Sequence, residues 1–171
     1  SPSTTYLIIA DNLVNGDVYE FRVYSHNSIG QSVASTITSI TPATLPDAPT
    51  LSTAVRGNTS VDLTWSVNGN GGDSIDSFRI EVSTAQDFTA IVYDNEINDP
   101  NVTSASVPGL TNGDTYYFRV YATNNVGEST TSSNELPQTP ASKPGTPLNV
   151  EADPASTKVT ITWSPPSNDG G

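Results

Sequence analysis

From Val61 the apolar and polar positions alternate: Val61, Leu63, Trp65 and Val67 fall on one side, Asp62, Thr64 and Ser66 on the other. A period of two is the mark of a half-buried strand, because successive side chains leave the backbone on opposite faces. Phe78, Ile80 and Val82 repeat the pattern with Arg79 and Glu81 between them, as do Tyr116, Phe118, Val120 and Ala122 with Tyr117, Arg119 and Tyr121 between them. Turn-forming clusters separate the runs: Asn68 to Gly72, Pro108-Gly109 and Asn112-Gly113-Asp114. No window longer than about ten residues keeps a helical period. The pattern predicts an all-β chain whose core is fed by alternate residues of many short strands.

The pattern also repeats. Asn15-Gly16-Asp17-Val18-Tyr19-Glu20-Phe21-Arg22-Val23-Tyr24 aligns with Asn112-Gly113-Asp114-Thr115-Tyr116-Tyr117-Phe118-Arg119-Val120-Tyr121, 97 residues on. Leu13 and Leu110, and Gly30 and Gly127, share that spacing; Trp65 and Trp163 are 98 apart, and Gly71-Gly72 and Gly170-Gly171 are 99 apart. Self-similarity at about one small domain's length predicts tandem modules. Pro-rich stretches, Thr41 to Pro49 and Pro137 to Pro147, stand at equivalent places and read as semi-extended linkers with proline-fixed φ. The expected organisation is residues 1–45 as the C-terminal part of one module, 46–140 as a complete module, and 141–171 as the N-terminal part of a third. The leading segment is expected to supply three late strands, and the trailing segment to supply two early ones. Neither has an opposing sheet with which to close a core. Their apolar faces, Tyr19, Phe21 and Val23 in one and Val159, Ile161 and Trp163 in the other, are expected to be cuts through a longer array or elements that pair between copies, head to tail.

Trp65, Gly71-Gly72 and Phe78-x-Ile80-x-Val82, followed by the run from Gly109 to Ser129, resemble a fibronectin type III domain. The run from Gly109 is the most specific segment: Leu110, then Tyr116 six residues on, then alternating core positions, then Asn124 and Gly127-x-Ser129. Leu13, Tyr19, Phe21, Val23, Asn27, Gly30 and Ser32 repeat it, and Trp163-Ser164-Pro165-Pro166 with Gly170-Gly171 resembles the family's second strand and following loop. The resemblance implies a seven-stranded Greek-key β-sandwich, immunoglobulin-like, with a three- and a four-stranded sheet. It implies core positions for Trp65, Leu110, Tyr116, Phe118 and Val120, and for Leu13, Tyr19 and Trp163 in the partial modules. Tyr116 and Tyr19 fall where the family has its tyrosine corner, in which a buried phenol finds a backbone partner.

Composition narrows the chemistry. Six Lys plus Arg stand against 18 Asp plus Glu in 171 residues, a formal charge of −12. That argues against nucleic acid, which needs a cationic surface, and against an anionic membrane surface. No apolar stretch approaches the length of a membrane helix. There is no Cys, so disulfides and thiolate sites are excluded, and the single His26 cannot build a triad or a zinc site by known recipes. The Gly-rich Asn68 to Asp73 lacks the Lys and the helix of a phosphate loop. Arg56-Gly57-Asn58 ends in Asn and lies in the early hairpin, so it does not read as an integrin-binding tripeptide. Asn58-Thr59-Ser60 and Asn101-Val102-Thr103 fit the glycosylation sequon, which matters only in a secreted eukaryotic protein.

Two clusters remain. Asp94, Glu96 and Asp99 form the densest acidic stretch and offer oxygen ligands of the kind calcium takes, although without EF-hand spacing; the simpler reading is a solvated edge loop. Arg79, Tyr117, Arg119 and Tyr121 are placed on the outer face of a sheet, since their neighbours face the core. Tyr and Arg are enriched at interface hot spots, so this is the candidate binding face. Read as ordinary surface pairs, the same residues are expected to be dispensable for folding, at under about 1 kcal/mol each. Glu20, Arg22 and Tyr24 would form a similar face in the leading segment.

No cofactor, metal or catalytic group is expected. The expected role is that of a non-catalytic structural or adhesive spacer in a larger extracellular, surface or filament-forming repeat protein. Its partners would be neighbouring repeats, other copies by strand complementation, or a protein or glycan. The alternatives are an accessory module of a secreted enzyme such as a glycoside hydrolase, and a protein-binding receptor ectodomain.

Overall fold

The computed structural model describes residues 8–171. Among them are twelve strands and no helix: β1 (Tyr19–Phe21), β2 (Thr38–Ile40), β3 (Thr50–Arg56), β4 (Ser60–Ser66), β5 (Ile75–Ser83), β6 (Ile91–Ile97), β7 (Ser104–Pro108), β8 (Tyr116–Asn124), β9 (Gly127–Glu128), β10 (Leu136–Gln138), β11 (Leu148–Ala155) and β12 (Lys158–Ser164). Strands β3 to β10 form a β-sandwich. One sheet has the order β3-β4-β7; the other has β10-β8-β5-β6, with the two-residue β9 also on β8.

The alternating residues meet in the middle. Val61 and Leu63 of β4 face Phe78, Ile80 and Val82 of β5 and Phe118 and Val120 of β8, and all are almost fully buried. Trp65, 4% exposed, stacks obliquely on Phe78 with ring centroids 5.5 Å apart. Val107 of β7 and Leu110 close the sandwich beside them. Each such side chain contributes about 1.5–3 kcal/mol through burial. The last strand is broken between β9 and β10, and serines bridge the gap. Val120 N donates to Ser133 Oγ (3.0 Å) and Ser133 N donates back to Val120 O (2.8 Å). Hydroxyls thus satisfy the backbone of β8 where ladder pairing is lost.

Tyr116 buries its ring while its Oη accepts a hydrogen bond from Thr111 N at 3.1 Å. Tyr19 makes the same bond 97 residues earlier, accepting from Val14 N at 2.8 Å. Tyr116→Phe keeps the ring and leaves that amide without its partner. It should destabilise the sandwich by about 1 kcal/mol, read by urea denaturation; an unchanged midpoint would show that water replaces the phenol.

The flanking strands differ from expectation in two respects. Among the described residues of the leading segment only β1 and β2 form, with an isolated bridge between His26 and Gln31. The third strand expected there falls partly outside the described residues, and residues 8–11 are not in a strand. The core assignments of Leu13, Tyr19 and Trp163 also require correction. Leu13 and Tyr19 are half-buried, and Trp163 is 64% exposed. These residues occupy the positions of core residues without the burial, because β1-β2 and β11-β12 are two-stranded sheets that no second sheet covers among the described residues.

Candidate binding face

Strands β5 and β8 run antiparallel with Arg79 opposite Tyr121, Glu81 opposite Arg119 and Ser83 opposite Tyr117. On the other side of β5, Arg79 lies opposite Glu96 and Glu81 opposite Asp94. This register gathers the outward side chains of three strands into one patch, and Arg79, Tyr117, Arg119 and Tyr121 all lie on it, each half-buried.

The patch is organised around Glu81, which is only 7% exposed although it points away from the sandwich core. One of its oxygens pairs with Arg79 and the other with Arg119, the latter at 2.6 Å. Arg79 also grips Glu128 with two parallel bonds, Nε to Oε2 at 2.8 Å and Nη2 to Oε1 at 2.9 Å, the planar fork geometry that makes such pairs strong. Asp94 is a further partner of Arg79 at 3.4 Å. The hydrogen bond to Glu128 raises the pKa of the Arg79 guanidinium above its ordinary value, with burial opposing and the charges of Glu128, Glu81 and Asp94 adding to it. The Tyr121 ring lies beneath both guanidiniums, 4.6 Å from that of Arg79 and 5.4 Å from that of Arg119.

Phe88, which alternation does not single out, covers this network. It sits in the β5–β6 connection with φ of 56°, a conformation unusual for a bulky side chain. Its ring is buried, 3.9 Å from the Arg119 guanidinium. The turn that carries it is held by Phe88 N donating to Ala85 O (3.0 Å), and by Asp87 accepting from Thr89 Oγ1 (2.7 Å) and Thr89 N (3.1 Å). The Thr89 hydroxyl, with that amide's help, keeps the exposed Asp87 carboxyl below its ordinary range. The signal available in the sequence was a lone aromatic in a polar connection, since a loop has little reason to hold Phe unless it covers something.

The acidic candidates do not converge. Asp94 faces Arg79, Glu96 accepts a hydrogen bond from Ser77 Oγ at 2.7 Å, and Asp99 closes its own turn by accepting from Asn101 N at 2.9 Å. Among the described residues no three acidic or imidazole side chains group as a metal site would require. His26 lies on the exposed hairpin turn of the leading segment, beside Asn27, Ile29 and Gln31. The patch itself therefore offers two arginines matched to three carboxylates, framed by aromatic rings, and no free nucleophile or uncompensated cation. It can present a rigid, shaped surface.

The fibronectin type III domain profile matches residues 47–139, more than half the chain and the whole β3–β10 sandwich. The chain belongs to the fibronectin type III family. A Kelch domain-containing protein of Saccharolobus solfataricus is 34% identical over 154 residues, covering 87% of this chain and 19% of that protein. The human protein named cell adhesion molecule-related/down-regulated by oncogenes is 41% identical over 92 residues, covering 54% of this chain and 7% of that protein. This fibronectin type III chain thus spans less than a fifth of the length of either relative. Domains d3–d4 of the rat CD45 extracellular region share its fold, with a TM-score of 0.55 at 17% identity over 81% of this chain and 76% of that one.

Proposed function

We propose that this chain is a non-catalytic spacer and adhesive segment of a tandem fibronectin type III protein that works at the cell surface or outside the cell. One observation carries the reading: the fine structure of the complete module recurs in the leading segment. Beside the two tyrosine corners, Asn27 Oδ1 accepts from Ile29 N and Gly30 N as Asn124 Oδ1 accepts from Val126 N and Gly127 N. Ser35 N donates to Val23 O as Ser133 N donates to Val120 O. Bonds repeated at a spacing of 97 to 98 residues support serial copies of one module, and serial copies set length. Self-neutralised arginines suit a surface that stays soluble and meets partners by shape. The acidic balance of the chain favours solubility as well. The likeness to the human cell adhesion molecule-related protein supports adhesion as a component of the role.

On this reading the open faces of β1-β2 and β11-β12 are completed by neighbouring strands of the same array. Strand complementation between copies is the second route to a filament. A chain that sediments as a monomer at high concentration would exclude that route.

The test is deletion of residues 46–140 from the parent protein. A nine-residue strand such as β8 spans about 30 Å at ~3.3 Å per residue. Small-angle scattering should show the particle shortened by about one such module, with partner binding retained. Loss of a specific ligand without shortening would instead mark the module as a receptor element.

A further inference from the structure

We propose that consecutive modules are locked end to end by a glycine junction, in which the Asn-Gly turn before one module's tyrosine corner seats on the Gly-Gly turn of the next. This rests on the tandem reading and adds that the linkers are stitched in place and do not act as free hinges.

The junction occurs twice. In the first, Gly16 N donates to Pro42 O at 2.9 Å and Thr44 N donates to Gly71 O at 2.9 Å, so a linker stretch of three residues is bonded to the module before it and to the module after it. Asp47 N adds a bond to Gly69 O at 2.9 Å. In the second, Gly113 N donates to Pro140 O at 3.0 Å, Ser142 N to Gly170 O at 2.8 Å, and Gly145 N to Asn168 O at 2.8 Å. The bonds correspond one for one. Asn70 and Asp169 brace the two Gly-Gly turns alike, accepting from Gly72 N at 3.0 Å and from Gly171 N at 3.0 Å.

The turns themselves meet backbone to backbone. A Cβ on Gly72 would lie 2.4 Å from Gly16 N and 2.6 Å from the Asn15 carbonyl carbon; one on Gly171 would lie 2.4 Å from Gly113 N and 2.6 Å from the Asn112 carbonyl carbon. Backbone atoms held in a turn have no rotamer with which to move aside, so no larger residue fits at this distance. Gly71 and Gly170 are equally constrained by the linker: a Cβ on either would lie 2.3 Å from a carbonyl oxygen, that of Thr44 or of Ser142. An identical close approach with identical stitching at both ends of the complete module sets the same geometry at each junction. A face such as Tyr117-Arg119-Tyr121 and its counterpart Glu20-Arg22-Tyr24 is then presented at a repeating angle.

Gly72 and Gly109 both have positive φ, 91° and 78°, but a Cβ on Gly109 meets nothing within 4 Å. Asn tolerates this region of backbone space. Gly72→Asn therefore strains the turn by about as much as Gly109→Asn does, and differs in driving a side chain into the preceding module. The measurement is amide hydrogen exchange by NMR on the 171-residue chain, with residual dipolar couplings for orientation. In the unsubstituted chain the Gly16, Thr44 and Ser142 amides should be protected, and β1 and β8 should fit one alignment tensor. G72N should speed exchange at Gly16 and Thr44 at least about tenfold and split the tensor, leaving Ser142 and the β4, β5 and β8 amides unchanged, while G109N changes none of these. Equal behaviour of the two variants, or free exchange at Thr44 while Ser35 within the leading segment stays protected, would overturn the junction and leave tandem modules standing. Free exchange at Ser35 as well would overturn both.

Discussion

Trp65→Ala should cost the sandwich about 3–5 kcal/mol, the usual range for truncating a buried aromatic. The β3–β10 sandwich is a domain of ordinary size, and such domains hold only about 5–15 kcal/mol in total. The variant should therefore be partly unfolded under mild conditions, with a urea midpoint far below that of the unsubstituted chain. Two features set the magnitude. The indole fills the space between β4 and Phe78, and nothing nearby is free to collapse into the gap, since Leu63, Phe78 and Phe118 are themselves fully buried. Against this, Trp65 Nε1 is buried without a hydrogen-bond partner. An orphan donor of this kind is costly to bury, so some of what the indole gains by burial is already offset. Trp65→Phe removes the orphan and keeps a ring against Phe78, and should lose less than about half as much as the alanine variant. A loss under about 1 kcal/mol for Trp65→Ala would mean that the sandwich does not depend on this residue.

Arg119→Met should destabilise by about 2–3 kcal/mol, well above what an exposed ion pair contributes. The sequence-based expectation for this face was under about 1 kcal/mol, as for solvated cross-strand pairs. The structure changes that expectation because Glu81 is buried against Arg79 and Arg119, with Phe88 packed on Arg119. Removing Arg119 leaves half of a buried carboxylate without its partner, and the cost comes mainly from that stranded charge. Arg119 is itself about a quarter exposed, so water that enters its place holds the loss below that of a fully buried pair. The triple variant R79M/E81L/R119M strands no buried charge, because Glu128 and Asp94, which lose Arg79, are 35% and 50% exposed and open to water. It should return to within about 1 kcal/mol of the original, as buried ion networks replaced by apolar side chains of similar volume often do. Denaturant melts of the two variants decide the matter. A mild loss for R119M together with a large loss for the triple variant would show that the face is held by packing on Tyr121 and Phe88 and not by the carboxylate.

The strands of the sandwich were legible because a two-residue period is a local property of extended backbone. Val61, Leu63 and Trp65 in β4, and Phe118 and Val120 in β8, declare their inner face with no knowledge of what lies opposite. The Tyr116 corner and the turns at Asn112-Gly113 were legible for the same reason, each being a short-range arrangement with its own residue signature. The repeat could be read by comparing the chain with itself.

Burial on the outer face could not be read this way. Glu81 has the pattern of a solvated strand residue, and it is buried because Arg79 on its own strand and Arg119 from β8 close over it, with the loop residue Phe88 packed on Arg119. Alternation assigns a side chain to a face without saying whether anything covers that face. The same limit accounts for Trp163, whose sequence context matches that of Trp65 while its exposure is 64% against 4%; what differs is the opposing sheet. The glycine junctions also belong to tertiary structure. Gly71-Gly72 reads as a turn in the sequence, and only the approach of Asn15-Gly16 from the leading segment shows that the missing Cβ makes room for another backbone. The amino-acid sequence by itself determined the family, the strands and their inward faces, through interactions within a few residues. Long-range packing decided which polar groups are buried, which aromatic residues have a core to enter, and how the flanking segments meet the sandwich.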